Sequence, residues 1–254
     1  MKILAPLIAA HGDFSLGLTI REIFSIFYGW LDNHPTEAIV VQIKADGKGV
    51  NEQAVSNDVG ALIKDKTRYW AIGETVPSLT QIKGKIQLVR RLGRPDADGA
   101  AETFGINALN WPENTQNEIK NTLINKNSTP VRLSIQDNYT FYDNGATALQ
   151  KKTKYITDFV AKAVSSPKAT TDPWFIGFSS YTTTGGIPDS NFNYAAKSLG
   201  GNKPMNEALE KCVKLQGGHG KPARVGTLLM DYPNWNSGTL IESIIYTNDL
   251  NLAG

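Results

Sequence analysis

Apolar and polar positions along this chain follow two alternating periods. Ile3 to Ala10 is a short apolar run that ends at His11-Gly12, after which Thr19 and Glu22 form a Thr-x-x-Glu capping box. Ile20, Ile23, Phe24, Phe27 and Leu31 then recur at helical spacing, which predicts an amphipathic helix of about three turns. Asn33-His34-Pro35 stops it. Ala38 to Ile43 is a β-branched run with little alternation, as expected of a strand buried on both faces, and it ends on Lys44. A weaker helix is predicted over Glu52 to Lys64, and Gly84 introduces a strand over Lys85 to Val89 that ends on Arg90 and Arg91.

The segment from Gly93 to Asn127 is rich in Gly, Asn, Asp and Pro, so it reads as a long irregular excursion with one helix near Glu118 to Ile124. Val131 to Gln136 alternates apolar and polar residues and ends on Asp137. A helix over Ala146 to Val164 follows, then a strand over Trp174 to Phe178 that ends on Ser179 and Ser180. Asn206 to Leu215 reads as a helix, Arg224 to Met230 as a strand ending on Asp231, and Leu240 to Tyr246 as the closing helix. Six strand and helix alternations argue for parallel strands with helices outside. The expected fold class is therefore α/β, a TIM-type (β/α) barrel whose site lies where His11, Lys44, Arg91, Asp137, Ser180 and Asp231 end their strands. A doubly wound open sheet is the alternative, but no Gly-x-Gly-x-x-Gly or phosphate loop follows a strand.

Composition narrows the function more than the fold. With 254 residues and 41% hydrophobic content, the chain can bury one large core or two small ones. A net charge of +2 supplies no broad field for nucleic acid. Cys212 is the only cysteine, so neither an intrachain disulfide nor a cysteine zinc site can form. No apolar run approaches the ~18 residues of a membrane span, and Met1 to Ala10 is short for a signal peptide, which leaves the compartment open. No histidine or carboxylate cluster has metal-ligand spacing, and His34 and His219 read as solvated loop residues. The sequons at Asn127 and Asn138 are weak signals, and a glycan on the second would obstruct the strand ends.

One imidazole, two cations and two carboxylates at strand ends suit the phosphate ester of a polyol. Cations balance the phosphate, carboxylates accept from hydroxyls, and an imidazole moves a proton near neutral pH. Each residue also has a plainer role: His11 as a structural histidine, Lys44 and Arg91 as snorkelling surface cations, Asp231 as a helix cap. Their shared placement favours function.

The order of motifs resembles the bacterial-type phosphatidylinositol-specific phospholipase C, the X-domain barrel. The matching pieces are His11-Gly12, Asn33 to Glu37 leading to Gln42-Ile43-Lys44, Gly84 to Arg91, Asn110-Trp111-Pro112, Ile135 to Tyr139, and Arg224-Val225-Gly226 with Met230-Asp231-Tyr232. The resemblance runs from His11 to about Tyr246 and implies one catalytic domain over the whole chain. It implies that His11 is a general acid, protonating the diacylglycerol oxygen as the inositol 2-hydroxyl attacks phosphorus to give a cyclic phosphate. Lys44, Arg91 and Asp137 would hold inositol hydroxyls, Tyr139 would stack under the ring, and Asp231 would orient the general-base histidine. Calcium-dependent relatives place a carboxylate where Lys44 stands, so no metal and no other cofactor is expected.

The resemblance also places a general-base histidine, its aspartate and a phosphate-binding arginine ahead of His11, where ten residues stand. The expectation is six of eight barrel strands, in either a fragment or a derived form without catalysis. The expected partner is an inositol phospholipid at a membrane surface, and self-association through exposed sheet edges is expected as well. A non-catalytic inositol-phosphate binder is the rival from another class. A glycerophosphodiesterase-like enzyme would need carboxylate metal ligands at strand ends, against which Lys44 argues. Phe141, Tyr181, Phe192 and Trp235 could touch a membrane interface or cover the barrel rim.

Overall fold

The computed structural model describes residues 6–12, 14–95, 104–120, 131–143, 145–166, 173–183, 195–196, 201, 203–217 and 221–248. The chain divides into two compact units, the first of residues 1–111 and 121–131, the second of residues 112–120 and 132–254.

The first unit opens differently from expectation. β1 (Ile8–His11) does not lead into a helix; Gly12, at a φ of 60°, turns the chain back into β2 (Phe14–Thr19), an antiparallel partner with His11 opposite Phe14. Phe14, Leu16 and Leu18 stand at period two, a strand signal that the nearby capping box masks. His11 thus occupies a hairpin turn and not the end of a parallel strand.

The box itself forms as spaced. Thr19 Oγ1 accepts from the Glu22 amide at 3.2 Å and Glu22 Oε2 accepts from the Thr19 amide at 2.8 Å, starting α1 (Ile20–Asn33). His34 closes that helix, its ring stacked on Trp30 with centroids 4.5 Å apart. β3 (Ala38–Lys44) follows, then α2 (Glu52–Lys64), whose start is capped by Asn51 Oδ1 accepting from the Ala54 amide at 3.1 Å. β4 (Trp70–Ala71), β5 (Lys85–Arg91) and β6 (Ile106–Asn107) complete the sheet. β3 and β5 run parallel in register from Ala38 and Lys85 to Lys44 and Arg91, while β4 and β6 take the other edge of β5. Ile39, Val41, Ile43, Ile86 and Leu88 pack with Phe24, Leu31, Val59 and Ile63 of the two helices. Strand alternation therefore sends Gln42, Lys44, Val89 and Arg91 to the opposite face.

In the second unit, β7 (Gln116–Lys120) is a strand antiparallel to β8 (Arg132–Gln136), which corrects the helix expected from Glu118. Pairing of Ile119 with Leu133 overrides a weak helical period; residues 121–124 lie outside the described residues. β9 (Thr140–Phe141) and α3 (Gly145–Ser165) come next, followed by β10 (Trp174–Phe178) and β11 (Thr182–Thr183). α4 (Met205–Gln216), β12 (Thr227–Leu229) and α5 (Thr239–Ile245) end the unit. β8, β10 and β12 are parallel neighbours. β12 is shorter than the run from Arg224 to Met230 suggested, because Gly226 takes a φ of 85°.

Phe159, Phe175, Leu209, Val213 and Val225 form the core of this unit. Gly177 is required there: a Cβ on it would lie 2.7 Å from Phe159 Cε1. Phe141 and Tyr181 join the same core, 7% and 4% exposed with rings 5.5 Å apart, so they are not membrane-facing. Trp235 is half-buried and Phe192 lies outside the described residues. β8 is buried on both faces although its pattern alternates. Ser134 and Gln136 point at α3, where Lys162 Nζ donates to Ser134 Oγ at 3.4 Å and Lys152 Nζ to Gln136 Oε1 at 3.5 Å. Parallel strands covered by helices match the predicted class, but among the described residues the sheets are partial and no closed barrel forms.

Candidate functional site

Lys44 and Arg91 end β3 and β5 as direct register partners on one face. Neighbouring strands lie about 4.8 Å apart, so the two cations stand side by side, an arrangement that an anion stabilises. The Arg91 guanidinium sits 4.8 Å from the centroid of the buried Trp111 ring, which fixes its plane. Asp46, two residues past the strand end, places Oδ1 3.8 Å from Lys44 Nζ. Its Oδ2 accepts from the Gly12 amide at 2.9 Å, and its Oδ1 from the Gly47 amide at 3.1 Å. The Gly12 bond, with help from Lys44 and His11, holds the Asp46 carboxyl below the usual carboxylate range. Asp46 therefore ties the hairpin turn, and with it the exposed His11, to the end of β3. A cavity of about 710 Å³ in this unit reaches Lys44 and Asp46 and is walled by Leu7, Ile8, Phe24 and Phe27.

In the second unit the segment after β8 is pinned along its backbone. The Asp137 amide donates to the Thr115 carbonyl at 2.9 Å. The Tyr139 and Thr140 amides both donate to Asn114 Oδ1, at 3.0 and 2.8 Å, and the Thr182 amide donates to the Tyr139 carbonyl at 2.7 Å. Lys152 Nζ donates to the Asn138 carbonyl at 2.5 Å. Asp137 is buried while the Tyr139 ring stays accessible. Asp231 follows β12 half-buried, its carbonyl accepting from Asn206 Nδ2 at 3.1 Å.

Lys152 is fully buried, and loss of hydration pushes its ammonium down to about 7 against the attraction of Asp137 and Asp231. Burial raises the Asp231 carboxyl in turn, and Lys152 opposes that rise. Both predicted carboxylates thus act on one buried cation.

No protein-family sequence profile matches the chain. Solved structures do. A double mutant of the Staphylococcus aureus phosphatidylinositol-specific phospholipase C matches with a TM-score of 0.72, 23% identity, 96% of this chain and 75% of that one. Another structure of the S. aureus enzyme, concerned with its membrane binding, gives 0.69 at 23% identity over 93% and 74%. The Listeria monocytogenes phosphatidylinositol-specific phospholipase C gives 0.64 at 17% identity over 94% and 74%. The fold is that of the bacterial phosphatidylinositol-specific phospholipases C.

Within this phospholipase C fold, a TIM-type, barrel-like one, the first unit brings His11 and Lys44 together around Asp46 and sets Arg91 beside Lys44. In the second, Asp137 and Asp231 each attract the buried Lys152 ammonium. Ser180 stays half-buried at the end of β10.

Three residues were missed from the sequence. Asp46 lies in Asp46-Gly47, a turn signal directly after a strand. Lys152 sits on the apolar stripe of Leu149, Ile156 and Phe159, where a cation is out of place. Asn114 takes a φ of 51°, which asparagine tolerates better than most residues, but its long-range bonds leave no local trace. The amide oxygen of Asn138 is buried, at odds with a glycosylated sequon; Asn127 and His219 lie outside the described residues. Cys212 donates its thiol to the Thr157 carbonyl at 3.9 Å, as a structural residue would. Among the described residues no group of three or more His, Cys, Asp or Glu is placed to hold a metal ion, and no helix is long and apolar enough to cross a membrane.

Proposed function

We propose that the chain is a phosphoric diester hydrolase of the phosphatidylinositol-specific phospholipase C type, acting without a metal on an inositol phospholipid at a membrane surface. The observation that carries this proposal is the pairing of Lys44 and Arg91 at adjacent strand ends, with His11 tied in through Asp46. His11 protonates the diacylglycerol oxygen as the inositol 2-hydroxyl attacks phosphorus, giving a cyclic phosphate. Lys44, Arg91 and Asp137 hold inositol hydroxyls and Tyr139 stacks under the ring. Asp231 orients the general-base histidine that takes the proton of the 2-hydroxyl, a residue that the resemblance places ahead of His11 and that is not among the site residues of this chain. Residues 1–254 act as one catalytic domain, a reading supported by the 93–96% of the chain that the S. aureus structures cover.

A non-catalytic inositol-phosphate binder is favoured by one observation: among the described residues, Asp231 is set against the Lys152 ammonium. Assaying cyclic inositol phosphate release from phosphatidylinositol vesicles with chelator present, alongside calorimetric binding of the same product, separates the two. Turnover that falls by 10²-fold or more in His11→Ala supports the enzyme. Binding with no turnover supports the binder, and neither binding nor turnover overturns both.

A further inference from the structure

We infer that Lys152 is a positioning residue of the candidate site: from beneath, its buried ammonium fixes the Gln136 to Tyr139 segment and holds the Asp137 and Asp231 carboxylates in place. The inference rests on the proposed inositol-phospholipid function. Lys152 occupies a core position of α3, in line with Leu149, Ile156 and Phe159, where leucine or methionine would pack without losing a hydration shell. Instead a fully buried lysine stands there, and each group that it meets belongs to the site or carries it. Nζ donates to the Asn138 carbonyl at 2.5 Å, in the peptide between the two residues assigned to the inositol ring. It also donates to Gln136 Oε1 at 3.5 Å, an oxygen that accepts from the Phe178 amide of β10 at 3.3 Å as well. One cation thus clamps the ends of two neighbouring strands.

The charged groups that face this ammonium are Asp137, from the end of β8, and Asp231, from the end of β12. Each carboxylate is attracted to the ammonium, and for Asp231 that attraction opposes the cost of its own burial. Lys152 therefore acts through other residues and touches no substrate. Its burial brings the proton on and off near neutral pH, so the clamp tightens as the lysine charges.

The test uses the intact chain and Lys152→Met, with inositol 1,2-cyclic phosphate as the probe. In the parent, probe affinity changes through pH 7, and the Asn138 carbonyl carbon shifts by NMR with a midpoint near 7. In the variant, which removes the charge at similar volume, affinity falls at least tenfold and its pH dependence disappears, while the thermal midpoint does not fall below that of the parent. Unchanged affinity in Lys152→Met, or an Asn138 carbonyl that does not titrate in the parent, overturns the inference. If the variant does not fold, the carbonyl titration in the parent decides alone. A parent that binds no probe overturns the proposed function, and the carbonyl titration still tests the clamp.

Discussion

Asn114 offers a measurable handle on how firmly the Asp137 to Thr140 segment is held. Its Oδ1 accepts from two backbone amides, Tyr139 at 3.0 Å and Thr140 at 2.8 Å, from a backbone at a φ of 51°. Asn114→Gly removes both bonds and tolerates the backbone; Asn114→Ala removes both and adds left-handed strain. A net hydrogen bond is worth about 1 kcal/mol, so losing two weakens the anchoring of the segment by about 2 kcal/mol, which corresponds to a roughly 30-fold loss of amide protection. The strain adds about 1 kcal/mol for alanine, or another factor of about 5. Hydrogen exchange read at Tyr139 and Thr140 separates the variants: protection falls in the order parent, Gly, Ala, while amides in β3 and β5 of the first unit are unchanged. Equal protection in all three chains would refute the pinning role of Asn114, and equal loss in Gly and Ala would refute the strain.

Gly177→Ala brings a Cβ to 2.7 Å from Phe159 Cε1 and 3.0 Å from Ile156 Cδ1; overpacking of this kind costs about 1–3 kcal/mol, and urea unfolding should show an earlier midpoint at unchanged slope. Lys152 titrates near 7 in the fold against 10.5 for an ordinary lysine. Between those values the unfolded chain binds the extra proton, so this group makes stability rise with pH. Lys152→Met removes the rise: its stability advantage over the parent is largest at pH 6 and shrinks towards pH 9, and a constant difference across that range would contradict the burial.

Much of the architecture can be read from local pattern. Thr19 and Glu22 mark the start of α1, the β-branched run marks β3, and Lys85 to Arg91, buried along most of its length, marks β5; β3 is only half-buried, with Val40 45% exposed, so its unbroken apolar run does not report burial on both faces. Lys44, Arg91, Asp137 and Asp231 stand out as candidates in the sequence because strand ends in such folds carry chemistry. What escaped depends on distant partners. β2 exists because Gly12 reverses the chain onto β1, and β7 because it pairs with β8; both pairings are tertiary. Asp46 and Asn114 act through bonds to residues 34 and 25 positions away, which no periodicity records. Lys152 is the opposite case, a visible break in an apolar stripe that looks like an ordinary surface lysine until the helix is packed.

The product released from phosphatidylinositol vesicles in chelator, followed by phosphorus NMR, tests the proposed chemistry most directly. Attack by the inositol 2-hydroxyl predicts a cyclic phosphodiester as the first product, with its formation lost in His11→Ala and weakened in Lys44→Ala and Arg91→Ala. A first product that is an open monoester, or cyclic product formed equally well by His11→Ala, would contradict the account.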